Sequence, residues 1–160
     1  MLHVIKDISD PLLDLIKDDP VRPHIPSANR IGNNRDVFVL QNEETFLAVV
    51  CVRYQSFVPF DEDDLFKDDE DPTIAIFYTV WSYAKGAGRQ IIFDAVAHIK
   101  ECQPRIQRYV TLSPQTEMAR KFHLGNGAVV YRENVTTVNY EYEFLRGDTW
   151  RQTTIQLAGG

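Results

Sequence analysis

Thr73-Ile74-Ala75-Ile76-Phe77-Tyr78-Thr79-Val80-Trp81, followed at once by Ala84-Lys85-Gly86-Ala87-Gly88, is the stretch on which the fold turns. The first part is nearly all apolar or β-branched. That predicts a central strand covered on both faces. The second part is a glycine-rich turn. After it, Gly88, Ile92, Ala95, Val96 and Ile99 recur with helical spacing. A strand that enters a helix through bare glycines is a natural anion site. The first helical N–H groups have no partner inside the helix, and the helix dipole favours negative charge there. Gly86 and Gly88 keep side chains out of the way, and Lys85 and Arg89 add positive charge.

Outward from this unit the pattern stays regular. Upstream, Asp10 and Pro11 suit a helix start, with Leu12, Leu15 and Ile16 as its apolar face. Residues 20–35 read as a loop with one short helical turn near 26–31. Val37–Leu40 and Thr45–Tyr54 read as a hairpin turning at Asn42-Glu43-Glu44. Downstream, Arg108–Leu112 is a strand, and Ser113-Pro114 is read as a helix start with Gly125 as its stop. Ala128–Arg132 and Val135–Phe144 close the pattern as two strands. The mixture predicts a single α/β (α+β) layered domain over 1–145, interrupted by an acidic insertion at 57–72 and followed by a polar tail at 146–160.

The 160 residues are 44% apolar and 25% charged, an ordinary globular profile with a net charge of −6. An acidic total argues against nucleic acid or an anionic membrane as the main partner. The charge is unevenly placed. Residues 61–71 hold eight acids and one lysine; removing them from the totals of 23 and 17 leaves 15 acidic and 16 basic residues. Charges this dense predict a solvated loop or mobile insertion. Cys51 and Cys102 make no disulfide framework, which fits a reducing, cytoplasmic setting. Cys51 lies in an apolar strand and reads as core. His98 and Cys102 share a helix face, but no further ligands stand at metal-binding spacing, so no metal site is expected.

Tyr83-Ala84-Lys85-Gly86-Ala87-Gly88 resembles the pyrophosphate loop of the GNAT acyl-CoA N-acetyltransferase superfamily, Gln/Arg-x-x-Gly-x-Gly/Ala between its fourth strand and third helix. A second family pattern, Asn-x-x-Ala-x-x-Phe/Leu-Tyr-x-x-x-Gly-Phe, is matched some thirty residues on. Here Thr116-Glu117-Met118-Ala119-Arg120-Lys121-Phe122-His123-Leu124-Gly125-Asn126-Gly127-Ala128 keeps the Ala, Phe and Gly positions in register. The resemblance spans 36–144. It implies a mixed, mostly antiparallel sheet flanked by about four helices and splayed between the fourth and fifth strands. The departures are Tyr83 for Gln or Arg, Thr116 for Asn, His123 for Tyr and Ala128 for Phe.

The resemblance also implies a chemistry. Acetyl-CoA would lie along the strand before the loop, its pantetheine amides paired with backbone groups of Tyr78, Thr79 and Val80. Its pyrophosphate would rest on Tyr83, Ala84, Lys85, Gly86, Ala87, Gly88 and Arg89, with Thr116 near the pantetheine. An acceptor amine would attack the thioester directly, its carbonyl polarised by a backbone N–H. His123 is the position-matched proton donor for the leaving thiolate; packing at a helix end is its plainer role. Ser113 is a candidate to hold a water or the acceptor, with helix capping as its plainer role. Trp81 and Tyr83 are candidate walls of an acyl or acceptor pocket. Val21–Arg35 and the acidic insertion would bound the acceptor side, which suits a cationic amine. Binding without transfer is the alternative, and dimerisation through Val135–Phe144 is a further expectation from the family.

Overall fold

The computed structural model describes residues 1–143; Phe144 and the expected polar tail lie outside the described residues. Eight strands form one sheet: β1 (Leu2–Ile5), β2 (Arg35–Asn42), β3 (Thr45–Gln55), β4 (Ile74–Ser82), β5 (Arg108–Thr111), β6 (Ser113–Pro114), β7 (Val129–Glu133) and β8 (Thr137–Tyr142). Their order is β1-β2-β3-β4-β5-β8-β6, with β7 on the other side of β8. Every pairing is antiparallel except β4 with β5. Two α-helices, α1 (Ala87–Cys102) and α2 (Glu117–Gly125), and three 3-10 helices, at Pro11–Asp18, Ser27–Asn29 and Glu62–Phe66, complete the described chain.

The sheet separates two cores. On one face Ile91, Ile92, Ala95, Val96 and Ile99 of α1 pack on Phe38, Val50, Val52, Ala75 and Phe77. On the other, Leu13, Ile16, Ile25, Ile31, Val58 and Leu65 cover Val37, Val39, Val49, Ile76 and Trp81. β4 is therefore covered on both faces, as its composition requires. A bulge interrupts it. Cys51 pairs with Thr79 and Val52 with Phe77, which leaves Tyr78 as the extra residue. Ile74, Ile76 and Tyr78 belong to the second core, and so does Trp81, three residues on instead of two.

Several local expectations are corrected. β1 is an added edge strand from four residues, Leu2-His3-Val4-Ile5, too short for periodicity to mark. The first helix is 3-10 throughout, with Asp10 Oδ1 accepting the Leu12 N–H at 3.0 Å. Ser113-Pro114 does not start a helix. It pairs with Val138 and Thr137, and Thr116 caps α2 by accepting the Ala119 N–H at 3.2 Å. The left-handed residue past α2 is Gly127, not Gly125, in a Schellman turn that bonds Ala128 N–H to His123 C=O.

The acidic run is folded onto the sheet rather than held off it. Leu65 is buried. Asp64 accepts from the Phe60 N–H at 2.9 Å and from Lys67 at 2.7 Å, and Asp69 accepts the Ser56 N–H at 2.5 Å. Asn139 and Thr137 of β8 donate to the carbonyls of Pro59 and Phe60. Carboxylates that cap backbone N–H groups escape the mutual repulsion that their density predicts. β8 lies between β5 and β7, and β7 is the outer strand.

Candidate functional site at the β4–β5 cleft

β4 and β5 pair only from Ile74–Arg108 to Phe77–Thr111. The last link is the Leu112 N–H to the Phe77 C=O at 3.0 Å. Beyond it β4 runs on through Ser82 without β5, and this is the splay. The free stretch leads into Gly86, which sits at φ 80° before α1 with no side-chain cap. That left-handed geometry favours glycine. A Cβ added there would meet nothing within 4 Å, so the space over the turn is open. Of the first N–H groups of α1, that of Ala87 turns back to Ala84 C=O at 3.2 Å.

Gly88 has a different task. A Cβ there would stand 3.1 Å from Cε1 of Phe122, so the glycine lets α2 close on α1. The two sequence patterns thus meet in space, Gly88 from one and Phe122 from the other. Lys85 and Gly86 are exposed, Ala84 and Arg89 half-buried, Ala87 and Gly88 buried. The Arg89 guanidinium stacks 4.8 Å over Phe93 and donates to Gly125 C=O at 3.3 Å. Its charge also lies at the C-terminus of α2.

The other site residues divide. Tyr78 and Thr79 are buried at the bulge, and Val80 turns toward the α1 face. Tyr83 is 43% exposed, and its hydroxyl donates to Asp18 at 2.8 Å while accepting from Trp81 Nε1 at 2.9 Å. The hydroxyl thus ties the end of β4 to the N-terminal helix. Thr116 is exposed, with its hydroxyl engaged as the cap of α2. Ser113 is buried with Oγ 2.7 Å from Thr111 Oγ1, so it neither caps a helix nor faces an acceptor.

His123 lies in the core. It is 4% exposed, its Nδ1 lies 2.9 Å from the Tyr142 hydroxyl, and its ring stacks on Tyr140 at 5.2 Å. Burial lowers its pKa to about 4. Burial thus favours the neutral imidazole, packed against β8.

Behind the bulge stands a charged group that local sequence signals do not reveal. Asp19 and Arg30 have fully buried side chains 2.7 Å apart. Asp19 also accepts from the N–H groups of Val21 and Arg22, at 2.8 and 2.9 Å, and from Thr79 Oγ1 at 2.8 Å. Burial alone would raise its pKa, but these hydrogen bonds outweigh it and the pKa is lowered. Arg30 donates further to the carbonyls of Arg22 and Ile25. Arg22, 5% exposed, donates from Nη1 to the carbonyl of Tyr78, and its Nε lies 3.1 Å from Glu62 of the acidic run. The second carboxylate oxygen of Glu62 lies 2.6 Å from His24. Asp18, Asp19 and Arg22 thus grip Tyr83, Thr79 and Tyr78 in turn, along the part of β4 that β5 leaves.

No family model matches the sequence, and no curated protein matches it. Solved structures do. A malonyl-CoA decarboxylase from Agrobacterium vitis superposes with a TM-score of 0.77 at 18% identity, covering 96% of this chain and 62% of that one. The chain spans less than two thirds of each of three such decarboxylases. The GNAT domain of S. lividans PAT gives 0.63 at 12% identity, with 89% of each chain covered. An acetyltransferase from Bacillus subtilis in complex with CoA gives 0.61 at 11% identity, covering 89% of this chain and 97% of that one. With a mostly antiparallel sheet splayed where β4 and β5 run parallel, the described chain has the fold of these GNAT structures.

Proposed function

We propose that this chain binds an acyl-CoA along the free part of β4 and transfers its acyl group, acetyl in the simplest case, to an amine. The observation that carries the reading is the end of β4–β5 pairing at Phe77–Thr111, followed by a strand that runs on into the open Gly86 turn. Backbone groups of Tyr78–Val80 pair with the pantetheine amides. The pyrophosphate rests on the turn at 84–88, where the uncapped helix N-terminus supplies donors. The names of similar structures, an acetyltransferase with CoA and malonyl-CoA decarboxylases, favour an acyl-CoA ligand. The acceptor approaches from the face held by Asp18–Arg22 and the acidic run, which suits a cationic amine. Self-association, in the same reading, uses β7, where Val129, Val130 and Tyr131 are exposed. The two free cysteines fit a reducing compartment.

A second reading, binding without transfer, is favoured by the burial of His123, which leaves the thiolate without the position-matched acid. Calorimetry with CoA tests the binding site, and Gly86→Val should abolish the heat of binding. Release of free CoA thiol above the no-amine background, over a panel of polyamines, aminoglycosides and lysine peptides, separates transfer from binding alone.

A further inference from the structure

Beyond the backbone N–H expected to polarise it, the thioester oxygen has no side-chain partner in the proposed transfer; His123, matched to the leaving thiolate, faces the core. Two cations stand behind the bulge. Arg30 is sealed, with its guanidinium divided among Asp19, Ile25 C=O, Arg22 C=O and Cys51 Sγ. Arg22 is placed differently. Its Nη1 holds the carbonyl of Tyr78, the residue at which β4 bulges and has just left β5. Its Nε lies against Glu62 Oε1 at 3.1 Å, which fixes the plane of the guanidinium. Its Nη2 bonds to no protein group among the described residues.

Resting on the acyl-CoA reading above, we infer that Arg22 is a catalytic residue, whose guanidinium stabilises the oxyanion formed at the thioester. The amine nitrogen forms a bond to the carbonyl carbon, and the C=O π pair moves onto oxygen, where the charge of Arg22 receives it. When the C–S bond breaks, its electron pair leaves with sulfur as CoA thiolate, and the carbonyl re-forms. The proton lost by the amine goes to water. Arg22 keeps all its protons throughout, as a guanidinium does at any working pH. A preorganised cation in a desolvated wall acts strongly on developing charge. Glu62 is then a positioning residue, and the acidic run serves the reacting centre through it.

The test reads the bound thioester directly. Acetyl-CoA carrying 13C at the carbonyl is bound to the full chain, and its C=O stretch is taken by difference infrared spectroscopy. With wild type the band should lie below its frequency in water. Arg22→Met should return it most of the way to that frequency, while CoA affinity by calorimetry stays within about threefold. Glu62→Gln, with the cation kept but its plane released, should fall between the two. Should Arg22→Met not fold, Arg22→Lys replaces it and should lose part of the shift. A band that is the same in wild type and in the Arg22 variant overturns the inference and leaves the CoA site standing. Failure of wild type to bind CoA overturns the site reading itself, and this inference with it.

Discussion

Replacing Asp19 by Asn isolates the worth of the charge behind the bulge. The two side chains are nearly isosteric, and the Asn oxygen can still accept from the N–H groups of Val21 and Arg22. What is lost is the negative charge 2.7 Å from Arg30, with both side chains fully buried. An uncompensated guanidinium left in such a place costs about 3–5 kcal/mol. Against a total stability of about 5–15 kcal/mol, that is a large fraction. In urea, an m-value of about 2 kcal/mol/M converts it to a midpoint about 1.5–2.5 M lower. Removing both charges, Asp19→Asn with Arg30→Met, should cost less than the sum of the two single changes by about 1 kcal/mol or more. There is also a pH signature. The folded pKa of Asp19 is lowered, so its stabilisation is present above the unfolded carboxyl value and is lost as pH falls through the folded one. The acid limb of wild type should therefore be steeper than that of Asp19→Asn. A single-variant loss below about 1 kcal/mol, or strict additivity in the double, would refute the reasoning that this pair is buried and mutually dependent.

Further predictions follow from other parts of the structure. The pKa of His123, about 4 when folded against 6.5 unperturbed, means that stability falls as pH drops from about 6.5 to 4, by about 3 kcal/mol. His123→Gln should flatten that window in pH-dependent denaturation, and its CoA affinity should match wild type. Saturating CoA at 100 times its dissociation constant should add about 2.7 kcal/mol. At about 2–4 °C per kcal/mol that raises Tm by about 5–11 °C. Gly86→Ala should erase most of this shift, and should cost about 1–2 kcal/mol of stability in its own right because φ is 80° there. Leu65→Ala should cost about 2–4 kcal/mol in chemical denaturation, since Leu65 is 2% exposed; a cost near zero would make the acidic run a detached loop.

The legible part of the fold lay where local pattern and tertiary role agree. β4, the glycine turn and α1 are marked by composition that solvent would punish anywhere else. The meeting of Gly88 with Phe122 was implicit in two patterns at one spacing. Failures came where a local signal was outbid. Ser113-Pro114 resembles a helix start, but Ser113 pairs with Val138 and the cap passes to Thr116. His123 fell at the right position in its motif, yet position within a helix does not say which way a ring points. Asp19, Arg22 and Arg30 lie in a stretch rich in proline, asparagine and charge, which reads as loop. Charged side chains are almost never fully buried unless paired. Arg30 meets Asp19 across eleven positions, and the further partners of Asp19 and Arg22, namely Thr79, Tyr78 and Glu62, are 60, 56 and 40 positions away. The acidic run misled for the same reason, because its carboxylates bond backbone N–H groups whose nearness only folding creates.

The bulge at Tyr78 gives β4 two phases. Before it, odd-numbered positions face α1; after it, even-numbered ones do, with Ala75 and Phe77 on one side of the slip and Val80 on the other. Deleting the extra residue would restore plain alternation, with Phe77 and Val80 still toward α1 and Trp81 still toward the second core. A relative without the slip would align to this chain only with a one-residue gap inside its most buried strand, where gaps are least expected. That gap, found in a distant sequence, would itself be a marker of which members of the fold build their cleft this way.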